Sequence, residues 1–94
     1  MMRAIPPFPL GKILATPPAI QALIDADEHP IRLLMRHAGG DWGDVGEEDW
    51  AANDKAARSG GRILSAFRLK TGVTVWVLTE SDRSATTTLL PDDY

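Results

Sequence analysis

Carboxylates are the most concentrated reactive groups in this chain. Asp41, Asp44, Glu47, Glu48, Asp49 and Asp54 all occur before the next base, Lys55. Oxygen ligands in such density suit magnesium or calcium. The spacing fails an EF-hand loop, however, because Gly43 and Val45 stand where ligands are required. A mimic of nucleic-acid charge is a second reading, weakened by a formal net charge of only −3. The least demanding reading is a solvated helix N-terminus. Asp44 stands three residues before Glu47, the D-x-x-E form of a capping box, and acids in a first turn complement the helix macrodipole. No metal and no cofactor is expected.

Thr79-Glu80-Ser81-Asp82-Arg83-Ser84 is the second polar concentration. Two acids, an arginine and three hydroxyls in one loop could hold a ligand, or arrange a general acid and a base. Asp41 or Asp44 could add carboxylates to a metal-dependent site with Glu80 and Asp82. The local alternative has Asp82 and Ser81 satisfying turn amides while Arg83 pairs with Glu80 or with the acidic block. No serine–histidine–acid spacing stands out. His29 and His37 bracket a helix and do not converge as zinc ligands would. His29 reads as a residue at the helix start and His37 as one in the last turn, where a cation complements the carbonyl end.

Trp42, Trp50 and Trp76 are the third feature, since aromatic rings anchor interfaces and stack on bases. Core packing accounts for Trp50. Trp42 lies in the loop DWGDVG, where its indole either plugs a sheet edge or faces a partner.

The elements that must position these groups are organised around residues 62–91. RILSAFRL, VTVWVL and SATTTLLP are rich in β-branched, aromatic and aliphatic residues and are separated by turn-formers, which predicts hairpin-linked strands. Lys70-Thr71-Gly72 fits a type I turn closed by a G1 bulge, with Gly72 at positive φ. That turn places Leu69 opposite Val73, Phe67 opposite Val75, Ser65 opposite Val77 and Leu64 opposite Leu78. Ile63, Phe67, Leu69, Val73, Val75 and Val77 then share one face, which should meet helices. The other face carries Leu64, Ala66, Trp76 and Leu78 between Arg62, Arg68 and Thr74. It is too apolar to be fully wetted. A second copy of the chain is its expected cover, and the N-terminal arm the competing one.

Upstream, residues 1–9 form an extended arm, because Pro6, Pro7 and Pro9 forbid a helix. Residues 10–15 are a short strand or packed coil. Thr16 and Pro17 open a helix over 17–26 with Ile20, Leu23 and Ile24 on its apolar side. Pro30 opens a second, whose stripe is Ile31, Leu34, Met35 and Ala38, widened by Leu33, ending at Gly39-Gly40. A third begins near Asp44 and ends at Gly60-Gly61, its thin stripe being Trp50, Ala57, Asn53 and Ala56.

The chain has 94 residues, 44% of them apolar, enough for one core over residues 10–94. With no cysteine, thiolate chemistry and disulfides are excluded and a cytoplasmic location is expected. No apolar run is long enough to span a membrane, and the prolines near the start argue against a signal peptide. The acidic balance gives no basic field for a phosphate backbone.

LGKILATPPAI, RHAGGDWGDV, DWAANDKA, GGRILSAFRL, VWVLTESDRSATTTLLP and the final DDY together resemble a family of small plasmid-related bacterial proteins, carried on plasmids and other mobile elements. The resemblance runs over residues 10–94, with G-D-W-G and T-E-x-D-R-S its most specific runs. It implies a genomic neighbourhood and assigns no catalytic role. The expected fold is α+β: a short N-terminal strand, three short helices, then a three-stranded antiparallel meander with helices on one face. The expected function is a non-enzymatic interaction protein acting through protein contacts, by homodimerisation or with another protein. A nucleic-acid accessory factor using Arg62, Arg68 and Trp76 is the alternative, and a small metal-dependent enzyme the third reading.

Overall fold

The structure, a computed structural model, describes residues 5–94. The part of the expected arm that falls on residues 1–4 lies outside the described residues, and residues 5–9 contain neither helix nor strand. In chain order the elements are β1 (Lys12–Ala15), α1 (Pro17–Asp25), α2 (Pro30–Ala38), α3 (Glu47–Ser59), β2 (Ile63–Arg68), β3 (Thr74–Thr79), β4 (Ala85–Leu89) and a closing 3-10 turn, Pro91–Asp93.

The β2–β3 hairpin follows its sequence. Gly72 has φ +94°, its N–H donates to the Leu69 carbonyl, and the Leu69 N–H donates to the Val73 carbonyl, both at 2.8 Å. The register is Phe67 to Val75, Ser65 to Val77 and Leu64 to Leu78, as the three-residue loop predicts. β4 pairs antiparallel with β3, Trp76 facing Leu89 and Thr79 facing Thr86. The meander is therefore only part of the sheet. β1 pairs parallel with β4, giving a four-stranded mixed sheet of order β1-β4-β3-β2. Parallel pairing follows from the route: after β1 the chain passes through three helices and enters the sheet again at its far edge, so β4 arrives beside β1 running the same way.

The starts of α1 and α2 are each set by a local donor–acceptor pair and by proline. Thr16 Oγ1 accepts from the Ala19 N–H at 3.3 Å, and Pro17 and Pro18 supply the first turn of α1. His29 does the same for α2, its Nδ1 accepting from the Ile31 N–H at 3.1 Å. α1 and α2 cover one sheet face, burying Ala22, Leu23, Ala26, Leu33 and Leu34 against Phe67, Leu69, Val75 and Val77. α3 lies along the β2 edge, where Ala56 and Ala57 pack with Ile63 and Trp42.

Four expectations are corrected. In α1 the buried residues are Ala19, Ala22 and Leu23, and Ile20 and Ile24 face outward. In α2 they are Leu33, Leu34 and His37, and Ile31 and Met35 face outward. α1 is rotated so that small residues meet the sheet, which lets the backbones approach closely, whereas α2 is rotated so that His37 joins Leu33 and Leu34 on the buried side. Val73 is also exposed, since it lies just past the hairpin turn at the sheet's end.

The fourth correction concerns Asp44. The N-cap of α3 is Gly46, with no side-chain cap, and Glu47, Glu48 and Asp49 occupy the first turn. Asp44 cannot cap because its backbone is engaged elsewhere, its N–H donating to the Ala66 carbonyl at 2.7 Å. Asp44→Ala should therefore change stability by no more than about 0.5 kcal/mol, the range of ordinary surface substitutions. A loss of 1 kcal/mol or more in denaturant unfolding, the cost of a lost cap, would contradict this assignment.

Candidate functional site: a buried polar chain, a closed edge and an open one

His37 is fully buried between α2 and the sheet. Its Nδ1 is 2.6 Å from Ser65 Oγ and its Nε2 is 2.8 Å from Thr79 Oγ1. Thr79 Oγ1 is in turn 2.7 Å from Thr86 Oγ1, which donates to the Leu10 carbonyl at 2.7 Å. Each hydroxyl has a single proton, so the direction of the whole chain is fixed from its end. Thr86 gives its proton to Leu10, so Thr79 must donate to Thr86. His37 Nε2–H must then donate to Thr79, and Nδ1 accepts from Ser65. The imidazole is neutral, and desolvation by burial lowers its pKa to about 4. The sequence expectation of a cationic helix-end histidine is corrected by that burial.

A serine donating to a histidine is the arrangement of an activated nucleophile. Here both Ser65 and His37 have no accessible surface, so no substrate can reach them. Sequence reasoning missed this chain. Its signal was the hydroxyl residues Ser65, Thr79 and Thr86, which alternate onto the helix-covered side of three strands.

Trp42 is also fully buried. It is the plug of the sheet edge, and no partner can reach its indole, whose Nε1–H donates to Asp54 Oδ1 at 2.8 Å. The Phe8 ring packs against both His37 and Trp42, with centroids 5.7 and 6.2 Å away. The described part of the arm thus lies on the helix-bearing side and does not cover Trp76.

The outer edge of β2 is closed along its centre. The Ala66 N–H donates to the Trp42 carbonyl at 3.0 Å, completing the pairing begun by Asp44. Asn53 reproduces a strand partner for Leu64, its Oδ1 accepting from the Leu64 N–H at 3.1 Å and its Nδ2 donating to the Leu64 carbonyl at 2.8 Å.

Arg83 takes neither of the acidic partners expected for it. Its guanidinium donates to the carbonyls of Ala56, Gly61 and Glu80, at 2.8, 2.6 and 3.2 Å, and lies over the Phe8 ring. It ties the C-terminal turn of α3 to the β3–β4 loop. Asp82 behaves as the turn chemistry predicts: it accepts from the Ser84 N–H at 2.9 Å, and hydrogen bonds from Ser84 hold its carboxyl below the usual range. Asp41 pairs with Arg36 at 2.7 Å and accepts from the Gly43 N–H. Asp41, Asp44, Glu80 and Asp82 are not brought together, and among the described residues no group of three or more His, Asp or Glu side chains could hold a metal ion.

On the second sheet face, Leu78 and Leu89 are buried, and Leu64, Ala66 and Trp76 half-buried. The chain's own end contributes to this cover. Tyr94 stacks edge-on against Trp76 at 5.9 Å, and Arg62 lies over the Tyr94 ring and donates to its hydroxyl. Asp93 anchors the closing turn, accepting from Thr16 Oγ1 at 2.7 Å and from the Leu90 N–H at 2.9 Å.

The remaining feature lies at the opposite edge. All four residues of β1 are exposed. Ile13, Leu14, Ile20, Ile24, Ile31 and Met35 are accessible to between 46% (Ile20) and 68% (Met35), which makes them most of the large apolar side chains left in water among the described residues. Ala15, Ile20, Ile24 and Pro30 border one shallow apolar depression. On α2, Arg36 lies over the Phe67 ring on the β2 side, at 4.4 Å. Helical spacing puts Ile31 on the flank away from Arg36, toward the β1 side, and Met35 between the two on the outer side of the helix.

Among the described residues no helix is long and apolar enough to cross a membrane. Comparison with family models, with curated proteins and with solved structures finds no match to this chain.

Proposed function

We propose that this chain is a non-enzymatic interaction protein of a bacterial mobile element and that it acts through protein contacts. The observation that carries the reading is the phase of the two N-terminal helices. α1 and α2 bury alanine and leucine and turn Ile20, Ile24, Ile31 and Met35 outward beside an open strand. Leaving those side chains in water forfeits about 25 cal/mol for each Å2 that a partner could bury. Exposed apolar side chains of that kind, Ile20 and Ile24 sharing one depression with Ala15 and Pro30, mark a contact site. The mobile-element setting rests on the motif resemblance. Ser65 and His37 are sealed in the core, and Asp41, Asp44, Glu80 and Asp82 stand apart from one another.

The test is capture from the native host with the wild-type chain and with Ile24→Glu/Met35→Glu as parallel baits. The expected outcome is a protein recovered with the wild type and lost with the double variant. Equal recovery by both, or none by either, overturns the reading.

A further inference from the structure

We infer that the apolar surface at the β1 edge receives a second copy of this chain, β1 pairing antiparallel with its own symmetry mate to make one eight-stranded sheet. This inference rests on the interaction reading above and names the partner. In the parallel β1–β4 ladder, the Lys12 and Thr16 N–H groups donate to Ser84 and Thr88. Alternation therefore points the N–H and C=O groups of Ile13 and Ala15 away from the sheet. A twofold axis at Leu14 sets Ile13 opposite Ala15 of the second copy, and Ala15 opposite Ile13. Both are hydrogen-bonded positions, so all four outward N–H groups and carbonyls of each strand segment find partners.

Side chains agree with that register. Ile13 and Ala15 point to the helix-bearing side, where a large residue meets a small one. Leu14 meets Leu14 of the copy on the other side, at the non-hydrogen-bonded position where side chains approach closest. Lys12 falls opposite Thr16, so the two lysines stay well apart. Above the strands, Ile20, Ile24 and Ile31 of each copy lie on the side that turns toward the other. At their observed exposures Ile13, Leu14, Ile20, Ile24 and Ile31 leave roughly 450 Å2 open, against the ~800 Å2 that each partner gives to a standard interface. The strand itself and the adjoining Pro30 and His29 make up the difference.

The occupant is a second copy, and not an open-ended series of them, because the two sheet edges differ. β2 is already closed by residues 42–44 and by Asn53, so it cannot accept a β1 from another copy. Only the β1-to-β1 contact remains, and it is isologous and closes at two.

Sedimentation velocity of the full chain at micromolar concentration, with amide hydrogen exchange on the same samples, tests the inference. The wild type should sediment as a dimer, with the Ile13 and Ala15 amides protected. Ile24→Glu, on an exposed helix position, should give a monomer with an unchanged circular dichroism spectrum and fast exchange at both amides. Ile13→Pro removes an N–H that β4 does not use and should do the same. A wild type that stays monomeric at near-millimolar concentration overturns the dimer, as does a dimer whose Ile13 and Ala15 amides exchange freely. A monomer that still captures a host protein through Ile24 and Met35 overturns the dimer alone and leaves the interaction reading standing.

Discussion

His37→Leu should lower the stability of the fold by about 3 kcal/mol near neutral pH, although leucine is a core residue of similar bulk. The substitution strands the Ser65 hydroxyl, which loses its acceptor in a site without water access, a penalty of roughly 1–3 kcal/mol. It also forces a branched aliphatic into a space shaped for a flat ring between Phe8 and Trp42, about 1–3 kcal/mol more. The pH dependence identifies the cause. The unfolded imidazole titrates at the ordinary 6.5 and the folded one at about 4. Between those values the unfolded state carries a proton that the native state does not, so stability falls as pH falls. The contribution is complete above pH 6.5 and is lost on acidification toward pH 4, about 3 kcal/mol in all. Urea unfolding at pH 7, 6, 5 and 4 should show this slope in the wild type and its absence in His37→Leu. Parallel pH profiles for the two proteins would mean that His37 is not held neutral by burial.

A single methyl group at Gly43 should be as damaging. Gly43 has φ +74°, and a Cβ there would collide with the Ala66 carbonyl oxygen and the Phe67 ring. Strain at positive φ costs about 1–2 kcal/mol and the forced repacking about 1–3 kcal/mol. Gly43→Ala should therefore lower Tm by roughly 15 °C, at several degrees per kcal/mol for a domain of this size. The movement would also pull residues 42–44 off β2, so the Ala66 amide should lose its exchange protection. Retention of the wild-type Tm would show that the loop does not bind the strand edge as described.

These two positions also show where a sequence can be read and where it cannot. The β2–β3 register was legible because Lys70-Thr71-Gly72 fixes it locally and the flanking residues alternate without a break. β1 was visible only as a short apolar run, since a parallel partner some seventy residues downstream leaves no local mark. The α1 face was misphased because isoleucine outranks alanine on any hydrophobic scale, whereas close packing against a sheet selects for small size; the α2 face was misphased because its buried side takes in His37, which no apolar pattern marks. His37 was misplaced for a related reason. Its partners Ser65, Thr79 and Thr86 converge only when three strands are already in register. Asp44 matched a cap motif, but the competing demand of the β2 edge held residues 42–44 extended and moved the start of α3 onward. Of the polar residues singled out from the sequence, Asp82 behaved as local turn chemistry predicts. Arg83 required the fold.

Arg83 fastens three separate stretches of chain through carbonyl dipoles, those of Ala56, Gly61 and Glu80. Counter-ions that loosen a surface ion pair have little purchase on such a joint, because it contains only one charge and that charge is sheltered against an aromatic ring. Lysine would keep the charge and lose the fork, reaching fewer carbonyls from its single ammonium. The clasp between the end of α3 and the last hairpin should therefore hold alike in dilute buffer and in concentrated brine.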